Sequence, residues 1–423
     1  MLGLVLGAAS GIAANRLAPG APWVPWVADH VAGPAGQVFL RLLLMTVVPL
    51  VFTSLTLGVA GIGNIRRVGR VGGRTLAYFV LSTALSAAIG LALVNAIRPG
   101  RGLDPAVRAQ LLAAYRAQAE GLQTGAAHFG VDTFVNLVPR NPVQAAAGTD
   151  LLGVIVFSLI FGAALTLVPA ERARPLVRVL DAAGEAIVKI IDLAMRLAPL
   201  GVFGLIFFTT SRFGWSVLER LGAYVAVVLA GLLLHGAVSL SVLVRVLGGL
   251  APRVFWSRIR ASLVTAFSTS SSNATLPTNI AVAEGELGIP PAIAGFVLPL
   301  GSTMCMNGTA LYEGVTVLFL AQVFGVSLGL GAQALVLLLS VLTAVGAAGV
   351  PGGSLPLLMT VLATVGVPPE GIAIILGVDR LLDMCRTAVN VCGDLTAAVY
   401  VARAEGAWHP GMVARAAVAA RAA

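Results

Sequence analysis

The chain has 423 residues, of which 58% are hydrophobic and only 11% charged, with a mean hydropathy of +0.95. A soluble domain carries about 25% charged residues, so this chain cannot cover itself with an ordinary wet surface and needs lipid around it. The net charge of +9 does not point to nucleic acid, because the arginines gather between apolar runs and form no basic stripe on a soluble domain.

The first apolar stretch, Met1–Ala14, has no basic start and no clear cleavage site, and is read as a first membrane helix. Further apolar runs follow at Val38–Ala60, Leu76–Ala96, Leu151–Val168, Ala223–Val244 and Ala332–Val350. Each is close to the roughly 20 residues that cross a bilayer as a helix. They are continuous, not alternating, which excludes an outer-membrane barrel. Between them lie Arg66, Arg67, Arg70 and Arg74, then Arg172, Arg174 and Arg178, then Arg253, Arg258 and Arg260. The positive-inside rule makes these cytoplasmic loops, in a multi-pass protein of the inner (cytoplasmic) membrane with both termini cytoplasmic. Pro105–Gly121 is polar and helix-prone, suiting an interfacial helix, and Asn136–Asn141, with Pro139 and Pro142, breaks a span.

Beyond residue 250 the apolar segments are interrupted at mid-depth. The interruptions are Phe267–Pro277 (FSTSSSNATLP), Gly301–Gly308 (GSTMCMNG) and Gly346–Pro356 (GAAGVPGGSLP). Backbone that leaves a helix inside a membrane must be buried in protein or line a wet cavity. Paired broken segments are a sequence pointer to a transporter site built on inverted repeats. The first and third clusters each divide a pair of short apolar arms, which suggests re-entrant hairpins. The expected division is therefore 1–250, mainly scaffold helices plus a piece of the site-bearing part around 70–100; 251–405, the core with both hairpins and the sites; and 406–423, a cytoplasmic tail. The cysteines Cys305, Cys385 and Cys392 form no disulfide framework; they are read as small packing residues, with a shared metal as the alternative.

The last span, Ile372–Val401, carries the sharpest signal. At about 100° per residue, Asp379, Arg386, Thr387, Asn390 and Asp394 all fall within about 60° of Asp383, with Arg380 at the margin of the stripe. Charged groups within a membrane are costly, face a bundle interior or cavity, and mark ion or substrate paths. Asp383 and Arg386 can simply neutralise each other as a buried pair. That leaves Asn390 and Asp394 without a purpose. A ligand bearing both charges answers better: a carboxylate for the planar fork of Arg386 and an ammonium for Asp383. The carboxylate of Asp394, with backbone carbonyls, offers hard oxygen ligands for a small cation such as Na⁺; a solvated or protonated aspartic acid is the alternative.

The segments SSSNATLP (Ser270–Pro277), MNGTALYEG (Met306–Gly314), GVPGG (Gly349–Gly353) and DMCRTAVNVCGD (Asp383–Asp394) resemble the glutamate transporter family, over residues 35–405. That resemblance implies an all-α polytopic protein with eight membrane helices and two re-entrant hairpins per subunit, assembled as a homotrimer in the lipid bilayer. It implies an elevator-type symporter of acidic amino acids coupled to Na⁺ and/or H⁺, with no cofactor and no enzymatic activity. Neutral amino acids and C4-dicarboxylates are the alternative substrates. For the substrate it implies Ser271, Ser272, Thr309, Asp383, Arg386, Thr387 and Asn390, with the tip residues Val350 and Gly353 acting as a gate. For sodium it implies Gly301, Asn390 and Asp394 at one site, and Thr303 with carbonyls of Ala344–Ala347 at another.

Three departures from the family pattern bear on coupling. Cys305 and Asn307 stand in a motif that reads N-M-D-G-T in the family, so a third sodium site with Ser82 and Thr83 is expected to be weakened or absent. Glu313 stands where some proton-coupled members carry a glutamate. A buried carboxyl is most cheaply carried in its neutral form, so Glu313 is the candidate proton carrier; pairing with an arginine is the structural alternative. Ser270 stands where many members have an arginine, which argues against potassium counter-transport. A serine hydrolase is disfavoured, since no G-x-S-x-G elbow is present and the histidines His30, His128, His235 and His409 lie in other segments.

Overall fold

The structure is a computed structural model and describes residues 2–17, 21–61, 65–102, 138–147, 151–213, 215–347, 349 and 351–413. Pro105–Gly121, the Asn136 end of the proposed break and Val350 lie outside the described residues; Val138–Asn141 is non-helical, as the two prolines require.

Every regular element among the described residues is helical. The chain opens with α1 (Leu2–Leu17), α2 (Gly33–Leu44), α3 (Val47–Gly61) and α4 (Ile65–Ile97), followed by α5 (Leu151–Leu167) and the long α6 (Ala170–Phe213). Next come α7 (Trp215–Leu233) and α8 (Leu240–Val246), joined by a π-helical stretch at Leu234–Ser239. The C-terminal part holds α9 (Arg260–Thr269), α10 (Ser272–Ala281), α11 (Pro291–Met304), α12 (Asn307–Phe324), α13 (Leu330–Gly346), α14 (Leu355–Thr364) and α15 (Leu376–Ala404). Among the described residues, Arg70–Ile97, Glu219–Val246 and Pro291–Phe324 are long and apolar enough to cross a membrane. The last of these is broken in its middle and buried throughout its most apolar stretch.

Packing sorts the helices into two groups. In the first, α1, α2 and α3 lie against α6, and α5 lies against α3. Gly3, Gly7 and Gly11, four residues apart, let α1 approach α6 closely: a Cβ on Gly7 would lie 2.8 Å from the Phe203 carbonyl. Without a hydrophobic force between helices in lipid, such small-residue stripes supply the contact. In the second group α12 is central, flanked by α4, α7, α13 and α15. Every residue of α12 except Gln322 is buried, so no apolar face distinguishes it. The continuous helix α7–α8 also packs on α4, α12 and α15, which adds Trp215–Val246 to the residues around 70–100 as early sequence belonging beside the site.

The three interruptions expected after residue 250 are present. The first hairpin is α9–α10, turning at Ser270, whose φ of 51° is left-handed. The second is α13–α14, turning through Gly349 and Pro351–Ser354, with Gly352 at a φ of 74°. Between them, α11 stops at Met304 and α12 restarts at Asn307. The final helix begins at Leu376, later than the polar span suggested, because Pro369–Ile374 forms a 3-10 turn after Pro368. Gly308, in the first turn of α12, is where that helix meets α15: a Cβ there would collide with the Arg386 backbone carbonyl.

Gly308→Ala is therefore expected to lower stability by about 1–3 kcal/mol through overpacking. Thermal melting of the purified protein in detergent, alongside Gly295→Ala where a Cβ meets nothing within 4 Å, checks this; equal melting temperatures for the two variants would exclude a tight crossing at Gly308.

Candidate functional site

The two hairpin tips, the break between α11 and α12, and the middle of α15 converge on one small polar cavity. Ser270, Ser272, Met306, Thr309, Ser354 and Arg386 are among its walls, with Asp383, Thr387 and Asn390 completing the α15 side. The space left inside is about 10 Å³, on the scale of one water molecule. The tips close on each other: the Ser271 hydroxyl donates to the Gly349 carbonyl at 2.5 Å, and the Asn273 amide donates to the same oxygen at 3.2 Å. Ser271 also caps α10 by accepting from the Ala274 amide at 3.1 Å. Its side chain is thereby committed to the hairpins, and Ser270 and Ser272 face the cavity instead.

Arg386 is 1% exposed and is the largest fully buried side chain among the described residues. Its Nε donates to Asp383 Oδ1 at 2.9 Å, and its Nη1 lies 3.1 Å from Asp379 Oδ1. The guanidinium also sits 4.2 Å from the centre of the Tyr312 ring, a cation–π contact, and the Tyr312 hydroxyl donates to Asp379 at 2.8 Å. The buried pair anticipated between Asp383 and Arg386 is thus present, and Asp379 makes it a triad. Asp383 also reaches the second hairpin tip: its Oδ2 accepts from the Gly352 amide at 3.1 Å, which ties that tip to α15.

Asn390 closes the break in the membrane helix. Its Oδ1 accepts from the amides of Gly308 at 2.7 Å and Thr309 at 3.3 Å, two of the donors that a helix start leaves without intrahelical partners. Its Nδ2 donates to the Thr309 hydroxyl at 3.2 Å and lies 3.2 Å from the Met306 sulfur. The Thr387 hydroxyl bonds back to the Asp383 carbonyl at 2.7 Å.

Asp394 is fully buried, and neither of its carboxylate oxygens has a well-formed hydrogen bond, so it is not a solvated aspartate. Gly301 lies directly against it; a Cβ there would be 2.6 Å from Oδ1. Thr303 is half-buried and donates to the Leu300 carbonyl at 3.0 Å. Asn307 occupies a hydroxyl cluster: Oδ1 accepts from Ser82 at 3.2 Å and Thr83 at 2.9 Å, while its carbonyl accepts from Ser86 at 2.8 Å. Glu313 is fully buried and accepts from the Thr343 hydroxyl at 2.5 Å, with its other oxygen unpartnered. Its partner is a hydroxyl of the second hairpin and not an arginine. Gly353 is buried in the tip turn. Cys305, Cys385 and Cys392 are free thiols, and no group of three or more His, Cys, Asp or Glu side chains among the described residues could hold a metal.

Sequence reasoning assigns no role to Asp379, Tyr312 or Thr343. Asp379 carries a signal, since it lies on the same stripe as Asp383. Tyr312 and Thr343 carry none, because each sits in a helix whose apolar pattern gives no hint of a polar partner.

The model of the sodium:dicarboxylate symporter family matches residues 1–404. The chain belongs to this family. It is 37% identical to the proton/glutamate-aspartate symporter of Escherichia coli K12, over 89% of this chain and 86% of that protein. It is also 37% identical to the proton/sodium-glutamate symport protein of Bacillus subtilis 168, over 89% and 87%. A C4-dicarboxylate transport protein of Anaeromyxobacter sp. strain K is 35% identical over 88% and 84%. The chain is thus a helical membrane transporter, as the broken helices and the polar stripe of α15 led us to expect.

Because Asp379 balances Arg386, Asp379→Asn should cost about 3–5 kcal/mol, the value of removing one partner from a buried ion pair. A fall in melting temperature is the expected readout. An unchanged melting temperature would show that Asp383 and Tyr312 alone compensate the guanidinium.

Proposed function

We propose that this protein is a secondary active symporter of acidic amino acids, L-glutamate or L-aspartate, driven by Na⁺ and/or H⁺. The observation that carries it is a buried Arg386 beside a buried Asp383 on the wall of a cavity closed by two hairpin tips. A substrate with a side-chain carboxylate and an ammonium can replace both internal partners at once, so neither charge is left unpaired when it binds. Ser272, Thr309, Thr387 and Asn390 supply the remaining polar contacts, and Ser271 acts by holding the tips together. Val350 and Gly353 belong to the gate that opens when the Gly352–Asp383 and Ser271–Gly349 bonds break.

Charge supports cation coupling. Asp379, Asp383, Asp394 and Glu313 are buried carboxyls in this part of the fold, against Arg386 as the single buried guanidinium among the described residues. Adding a substrate of net negative charge to such a site is prohibitive unless cations or protons enter with it. Asp394, Gly301 and Asn390 are the proposed sodium site, with Thr303 at a second, and Glu313 is the proposed proton carrier. We place the protein as a homotrimer in the inner membrane with both termini cytoplasmic, its scaffold formed mainly by residues 1–250 and its moving part by 251–405, with residues 406–423 as a tail, in an elevator cycle.

C4-dicarboxylates are a second reading. Gly352 and Arg386 already satisfy Asp383, so a ligand without an ammonium need not leave it bare.

Proteoliposomes loaded with purified protein should accumulate labelled L-aspartate or L-glutamate under an imposed Na⁺ or H⁺ gradient, and Arg386→Ala should abolish uptake. Accumulation of succinate with no uptake of either amino acid would overturn the first reading in favour of the second. Glu313→Gln should remove acceleration by a proton gradient while leaving substrate exchange across the membrane; a proton-driven Glu313→Gln variant excludes the carrier role.

A further inference from the structure

The end of α5, the Val168–Pro169 turn and the start of α6, with Ala60 of α3, border an open cavity of about 630 Å³, within the about 300–1,000 Å³ range of ligand pockets. Its walls are mainly apolar, with Leu165, Leu167 and Val177 prominent; the polar members are Thr166, whose hydroxyl is spent on the Ala163 carbonyl, and the exposed Arg174 and Arg178 one turn apart on α6. Neither guanidinium makes a hydrogen bond or ion pair among the described residues, although Glu171 and Asp181 stand within a turn of them in sequence. This is the opposite of the arrangement at Arg386, where carboxylates surround the cation.

The cavity sits where the uncharged, mainly apolar α5 gives way to the arginine-bearing start of α6, which is the boundary between hydrocarbon and the basic side of a membrane. Two unpaired guanidiniums above apolar walls select a ligand with a doubly accepting anionic head and an apolar body. Basic pockets between membrane helices on the cytoplasmic side take anionic lipid headgroups for this reason. We propose that this cavity is a binding site for an anionic phospholipid, its phosphate held by Arg174 and Arg178 and its acyl chains lying along Leu165, Leu167 and Val177. A free phosphate would leave the apolar walls unused, and no aromatic or acidic side chain lines the cavity to suit a protein partner.

The test uses full-length protein in detergent micelles, titrated with phosphatidylglycerol or with phosphatidylcholine of the same acyl chains and read by native mass spectrometry. Phosphatidylglycerol should bind at least about tenfold more tightly, since each basic side chain at such a surface contributes several-fold. Arg174→Gln/Arg178→Gln should abolish that preference, Arg174→Lys/Arg178→Lys should keep most of it, and Arg172→Gln, exposed like them but off the cavity wall, should leave it intact. Equal binding of the two lipids, or an undiminished preference in the double Gln variant, overturns the proposal. So does glycerol 1-phosphate competing as strongly as phosphatidylglycerol, which would indicate a free-anion site. Crosslinking of Val177→Cys between two subunits without lipid release would instead identify the cavity as an interface between copies.

Discussion

A guanidinium excluded from both water and lipid is the constraint to which the rest of the structure answers. An uncompensated Arg386 would be ruinous at that depth, and removing one partner of such a buried pair costs several kcal/mol. Compensation comes from Asp383, three residues back on the same helix, and from Asp379, two turns back on the same stripe. It also comes from Tyr312 on the facing helix, which can lie over the guanidinium only if α12 and α15 approach closely. Gly308, one turn before Tyr312, permits that approach by offering no side chain against the Arg386 carbonyl. A glycine in one helix, a tyrosine one turn along and two aspartates in another therefore serve a single charge.

The second constraint is the backbone. Three elements are broken inside the membrane-embedded body, and each break frees amide and carbonyl groups for which lipid has no partner. Asn390 takes two amides at the start of α12, Ser271 takes one at the start of α10, and Asp383 takes the Gly352 amide at the second tip. These side chains line or adjoin the cavity, so polar groups that hold the broken backbone are also those a ligand would meet. Enlarging a space of about 10 Å³ requires the tips to part, because the bonds of Ser271 and Asp383 to the second hairpin span it. In the proposed cycle, binding and gating are consequently one event at these atoms.

Much of this was legible in the sequence. The apolar runs gave the helices, and the Gly- and Ser-rich interruptions gave the hairpins and the broken helix, because such residues inside a membrane span require a non-helical explanation. The stripe of α15 gave the polar wall of the candidate site, because its spacing puts Asp379 through Asp394 on one face. What remained hidden depended on partners from distant segments. Tyr312 lies in a helix buried on nearly every side, where no periodicity marks one position above another. The commitment of Ser271 to Gly349, which turns Ser270 and Ser272 toward the cavity, depends on the left-handed backbone at Ser270, and no composition rule assigns that conformation to a serine.

The surroundings of Asn307 and Asp394 bear on how the proposed coupling is divided. Ser82 and Thr83 both reach the Asn307 amide oxygen, while the Asn307 Nδ2 is buried without a partner, so this cluster holds a neutral amide and has no charge that calls for a cation. One turn of α15 beyond Asn390, the opposite holds: Asp394 is fully buried with both oxygens lacking well-formed partners. A buried carboxylate in that state must be neutralised, either by a proton or by a cation with hard-ligand preference. The nearest sulfur, Cys305, is a poor ligand for such a cation, while the absence of a side chain at Gly301 leaves its backbone directly against the carboxylate. If Na⁺ drives this protein, Asp394 is therefore the anchor we propose for it, since the neutral Asn307 brings no charge of its own to an ion.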